Sequence, residues 1–174
     1  ILADTSAHDN SNYGFYVMES NDEISGGSAY NNGFLGIYLS NADYSSIHGV
    51  SAYGNQYGIV LESSTYNNIY ENQITNNTQY GLFLTSSGAA EYNNVTLNNI
   101  ANNDVFQVGI QDSSFNTLYN NIINATGAQG VIESNTFDYW NISKTLQTNI
   151  IGGLNVGGNF YSNYTGLDAD GDGI

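Results

Sequence analysis

Cysteine and proline are absent from this chain, and 16 Asp and Glu stand against 1 Lys or Arg, giving a net charge of -15. Without cysteine there are no disulfides and no thiolate metal sites, and cysteine usage says nothing of the compartment. The lack of proline suits laddered strands, in which every missing N–H would break a pairing. A phosphate backbone needs several cationic contacts, which this composition does not supply, so no nucleic acid is expected as a partner. Anionic membrane surfaces and uronic-acid polymers are disfavoured on the same ground. No apolar run reaches the roughly 18 residues of a membrane span, so none is expected in this chain.

What is present is a repeat. The stretch Tyr57 to Asn77, YGIVLESSTYNNIYENQITNN, holds two short apolar-alternating runs separated by Ser, Thr and Asn, which read as strands and turns. The same stretch recurs before and after it. Gly14, Gly36, Gly58, Gly81 and Gly109 lie about 22, 22, 23 and 28 residues apart, a period that signals a solenoid. Ile24, Ile47, Ile69, Val95 and Leu118 mark the central apolar position of each unit. Five residues further on stand Ala29, Ala52, Ile74, Ile100 and Ile123, and eight further on Asn32, Asn55, Asn77 and Asn103, with Thr126 in the last copy.

Such a unit cannot bury an apolar face alone, but stacked copies turn each apolar column into a continuous core stripe. The units lack the leucine-rich pattern, and their Asn, Ser, Gly and Tyr favour strands and turns over helices. The expected fold is all-β, a right-handed parallel β-helix of about seven coils and about 22 residues per coil, a rod of about 30–35 Å. Residues 1–139 are expected to form the coils, the first of them incomplete, and 140–174 a closing segment. Leu2, Ala7 and Asn10 fall on repeat positions, so the chain reads as a processed form or fragment that starts within a coil.

Asn tolerates the tight corners between coil faces, and stacked amides can bond up a column. Asn32, Asn55, Asn77 and Asn103 make one such column, Asn72, Asn98 and Asn121 a second, and Tyr44, Tyr66, Tyr92 and Phe115 an aromatic one. His8 and His48 fall on different columns, both facing solvent, with no Asp or Cys at a ligand spacing. A polysaccharide hydrolase or lyase needs either a close pair of acids or a cation beside a base, and Lys144, far along the chain, is the lone cation. Only Asp22 and Glu23 are adjacent, and adjacent strand residues face opposite ways. The chain is therefore expected not to be an enzyme. Sequons begin at Asn76, Asn94, Asn124, Asn141 and Asn163, a number that composition alone would produce. The terminal Asp168-Ala-Asp170-Gly-Asp172-Gly-Ile174 matches the opening positions of a calcium loop: three carboxylates, and a backbone carbonyl from Ile174. Calcium is the expected cofactor, since hard oxygen donors select it over zinc or copper.

The repeat G-[ILF]-x-[LV], then [YF]-N-x-[IVL]-x-x-N-x-[IA]-x-x-N, resembles the parallel β-helix repeats of the NosD-type family over roughly residues 2–131. The tail, with Trp140-Asn-Ile-Ser-Lys-Thr and Gly157-Gly-Asn-Phe-Tyr-Ser-Asn-Tyr, is similar to closing segments of secreted archaeal surface proteins, particularly of methanogens. That resemblance implies a right-handed β-helix at the cell surface or envelope. The copper role of the namesake is not implied, because one Met, two separated His and no Cys leave no copper site. The expected function is a structural subunit of an archaeal sheath, surface layer or filament, self-associating by coil stacking. The alternative is a glycan-binding module that stacks neutral sugars on Tyr16, Tyr38, Tyr30 and Tyr53.

Overall fold

The computed structural model describes residues 1–85, 88, 90–125 and 129–163. Three parallel sheets run the length of the molecule, of 6, 7 and 6 strands. Sheet 1 contains Glu23–Ser25, Ser46–His48, Asn68–Tyr70 and their equivalents. Sheet 2 contains Ser28–Tyr30, Ser51–Tyr53 and Gln73–Thr75, and sheet 3 the longer strands Leu35–Ser40, Tyr57–Glu62 and Tyr80–Thr85. The chain visits the three in turn and pairs each strand with its copy one coil away. This is a parallel β-helix, and the crossover rule makes it right-handed.

The expected columns are the observed registers. Ile24, Ile47, Ile69, Val95 and Leu118 pair in succession, and so do Ala29, Ala52, Ile74, Ile100 and Ile123. All are buried, and they form one continuous core with Ile37, Ile59 and Leu82 from sheet 3.

Corners are built by a two-residue device. A residue at positive φ turns the chain, and the next residue sends its side chain inward. Between sheets 1 and 2 the turning residues are Asp4, Gly26, Gly49, Glu71, Leu97 and Asn120; between sheets 2 and 3 they are Asp9, Asn31, Gly54, Asn76 and Asn102. Between sheets 2 and 3 the inward residues are the ladder asparagines, and between sheets 1 and 2 the column runs Val50, Asn72, Asn98 and Asn121. Asn55 donates its backbone N–H and its Nδ2 to Oδ1 of Asn77 at 3.1 and 3.2 Å, and Asn77 does the same to Asn103 at 3.0 and 2.9 Å. A third ladder, Asn67, Asn93 and Asn116, follows the turning aromatics Tyr66, Tyr92 and Phe115. The second ladder continues from Asn121 to Asn159, which returns from far along the chain.

One register expectation needs correction. Phe83 pairs with Gly109, so Gly109 lies on the outer face, and Gln107 takes the position of Gly81. At the true column, a Cβ on Gly58 would meet the Gly81 carbonyl at 2.6 Å and Asn77 Nδ2 at 2.8 Å, which is why those positions are glycine. Gln107 replaces both partners at once. Its side chain enters the corner, and Oε1 accepts from the Asn103 N–H and Nδ2 at 3.1 and 2.9 Å. Thr126, expected at the ladder position, lies outside the described residues.

Candidate carbohydrate-binding face

Sheet 3 carries the most elaborated outer surface. At each column glycine the alternation of the strand is interrupted. Gly58 and Ile59 both face the interior, so Tyr57 and Val60 both face outward. The outer face thereby gains two side-chain columns, and aromatics fill much of both: Tyr13, Tyr57, Tyr80 and Phe106 in one, Tyr16, Tyr38 and Phe83 in the other. Val60 stands among them only 5% exposed, although it points away from the core.

A hollow of about 180 Å³ opens there, lined by Tyr13, Phe34, Leu35, Tyr38, Tyr57, Val60, Glu62, Phe83 and Thr85. Phe34 meets Tyr57 edge to face at 5.6 Å, and Tyr57 lies 5.9 Å from Phe83. Glu62 is the one carboxylate of this lining, and no cation lines it. Tyr38 of the neighbouring coil donates its hydroxyl to Oε2 of Glu62 across 24 residues of sequence. Burial, reinforced by that bond, pushes the Tyr38 phenol up to about 12. At neutral pH Tyr38 is therefore a protonated hydroxyl that donates to Glu62.

The four tyrosines expected to stack on sugars are placed differently. Tyr16 and Tyr38 are parallel at 5.0 Å, as are Tyr30 and Tyr53. Parallel rings this close overlap, so each pair spends ring faces on itself and presents edges and hydroxyls. His8 packs on Tyr30 at 4.7 Å and reaches Asp9 at 2.8 Å. His48 is half-buried, stacked on Tyr70 at 4.6 Å, with Nε2 at 3.0 Å from Glu23 Oε1. His48 was expected to face solvent and is instead half-buried, with Glu23 reaching it from the coil below, at a separation no local spacing displays.

Asp168, Asp170, Asp172 and Ile174, the expected calcium ligands, lie outside the described residues. Among the described residues, no three or more His, Cys, Asp or Glu side chains are grouped to hold a metal.

The Periplasmic copper-binding protein (NosD) family profile matches residues 1–166. This chain belongs to the NosD family. Copper's preferred donors are imidazole, thiolate and thioether. Here they amount to His8 on sheet 2, His48 on sheet 1 and Met18 after the first strand of sheet 3, which do not converge. The residues present do not fit a copper site. Comparison with curated proteins yields no match. Among solved structures the chain is similar to a point mutant of the periplasmic alginate epimerase AlgG, with 25% identity, a TM-score of 0.68 and 79% of this chain covered. The A-module of the Azotobacter vinelandii mannuronan C-5 epimerase AlgE6 shares the fold at 20% identity and a TM-score of 0.59, over 77% of this chain. The chain spans 33% of the first structure's length and 45% of the second's.

These likenesses overturn the expectation that the chain is not an enzyme. Its solved structural relatives are carbohydrate-active enzymes on the same parallel β-helix. Adjacency in sequence does not display the pairings that stacking makes between residues a full coil apart, such as Tyr38 with Glu62 and Glu23 with His48.

Proposed function

We propose that this chain is a carbohydrate-active β-helix module of the cell envelope, which takes a polysaccharide across the outer face of sheet 3. The observation that carries the reading is the Tyr38–Glu62 pair at the edge of an aromatic-lined hollow. Apolar rings beside a few polar groups are what a sugar, apolar on its C–H faces and polar at its rim, requires. Tyr38 supplies a proton donor and Glu62 an acceptor, the two roles of proton transfer at a sugar carbon or oxygen. The likeness to AlgG supports a carbohydrate substrate, and the family's periplasmic description supports an envelope location. The test is turnover and binding of a panel of oligosaccharides by wild type and Glu62→Gln. Saturable binding lost in the variant supports the reading, and a flat panel sinks it.

A second reading is the structural one, a sheath, surface-layer or filament subunit of an archaeal envelope that assembles by coil stacking. It is favoured by the ladders, whose regular rungs are suited to continuation from one rod to the next. Electron microscopy of native material tests it, since discrete single rods would remove it.

A further inference from the structure

We propose that the hollow beside Glu62 takes the ammonium group of an amino sugar, so that the polymer recognised is rich in free glucosamine-type amines. This rests on the reading of sheet 3 as a carbohydrate-binding face and names the substrate class for it.

Three observations converge. The hollow is walled by Tyr57, Phe83 and Phe34, aromatic surface that excludes water and so strengthens the attraction between a carboxylate and a cation held there. Its one charged lining group is the Glu62 carboxylate, whose Oε2 accepts from Tyr38. The chain as a whole carries 1 Lys or Arg against 16 Asp and Glu, a net charge of -15 that favours a cationic ligand over an anionic one. Aromatic rings around a carboxylate match an ammonium group in both charge and hydration.

The opposite ligand fails on the same physics. Alginate, named for the structural relatives, carries a carboxylate on every sugar. A polyuronate laid on this face would bring like charges against Glu62 in a partly desolvated site with no cation to offset them. A neutral sugar would fit the rings but leave the Glu62 charge uncompensated. The amine-bearing chain satisfies both.

Isothermal titration at physiological salt, with tetramers of glucosamine, N-acetylglucosamine and mannuronate as probes, tests this on the intact chain. The expected result is preferential binding of the glucosamine tetramer, weakened at least tenfold by Glu62→Gln and several-fold by Phe83→Leu. Circular dichroism should show both variants folded. Affinity should also fall as pH rises and the amines lose their protons. Equal or tighter binding of the acetylated or mannuronate tetramer overturns the inference but leaves the carbohydrate reading standing. Binding of the glucosamine tetramer unchanged by Glu62→Gln overturns it too, as adventitious attraction to an acidic surface. No binding of any tetramer overturns both.

Discussion

Asn116 donates its backbone N–H and its Nδ2 to one oxygen of Asp138, at 2.8 and 2.9 Å, and Asp138 stands where the lower rungs of that ladder carry asparagine. Each of those asparagines turns its Nδ2 to a carbonyl one coil further back: Asn67 to Ala42, Asn93 to Ser64 and Asn116 to Ala90. By that repeat the counterpart of residue 138 is the carbonyl of Ser113, an acceptor facing an acceptor. Among the described residues, Asp138 Oδ2 is buried without a hydrogen-bond partner.

Protonation relieves this conflict, and burial accordingly raises the Asp138 carboxyl above its usual range. The sign follows from linkage. A folded-state value raised above the unfolded one, about 3.9, means a contribution fully present below that pH and lost as pH climbs through the folded value. Asp138→Asn should remove this loss and stabilise the protein at neutral pH by about 1 kcal/mol. Urea midpoints at pH 4 and pH 7 measure it. A variant with the pH dependence of wild type would refute the assignment.

The corner ladders set the largest energies. Asn77 is fully buried, accepts from Asn55 and donates to Asn103 and to the Ala52 carbonyl. Asn77→Ala orphans several of these groups and should cost about 3 kcal/mol or more. Gly58→Ala drives a Cβ into the Gly81 carbonyl and Ile74 Cγ2, both at 2.6 Å, and should cost about 1–3 kcal/mol. Chemical denaturation reads both, and a change under 0.5 kcal/mol in either would contradict the proposed packing.

Tyr38 should titrate apart from the solvated tyrosines, as should Tyr161, which burial also pushes up to about 12. With its phenol pushed up to about 12, Tyr38 should remain protonated when solvated tyrosines have ionised near 10. Glu62→Gln should lower it only part of the way, because burial is the larger cause. Tyrosine ring-carbon NMR through an alkaline titration resolves this, and a Tyr38 that titrates with the bulk would show the pair to be absent in solution.

Strain at the corners is distributed unevenly. Glu71 is exposed at φ 57, in the same corner column as Gly26 and Gly49. Asn tolerates this conformation better than Glu. Glu71→Asn should raise stability by about 0.5–1 kcal/mol, seen as a higher thermal midpoint. The exposed aromatics Tyr44, Tyr66, Tyr92 and Phe115 occupy the same left-handed region, and their mutual stacking at 5.0–5.2 Å offsets the cost.

The sequence by itself determined the fold, because the features that specify it repeat. Each inward apolar residue and each ladder asparagine recurs once per coil, and a period is visible without knowing what touches what. Where the repeat is imperfect, legibility failed: Gly109 looked like the next column glycine, while Gln107 was the residue supplying the missing rung. Only the tertiary structure decided the site. The hollow draws Tyr38 from one coil, Glu62 from the next and Phe83 from the one after, at separations set by coil length. Their proximity follows from strand register and from the double inward turn at each glycine, which places two side-chain columns on one face. A periodic core is a local property of every coil, whereas a site on its surface exists only between coils.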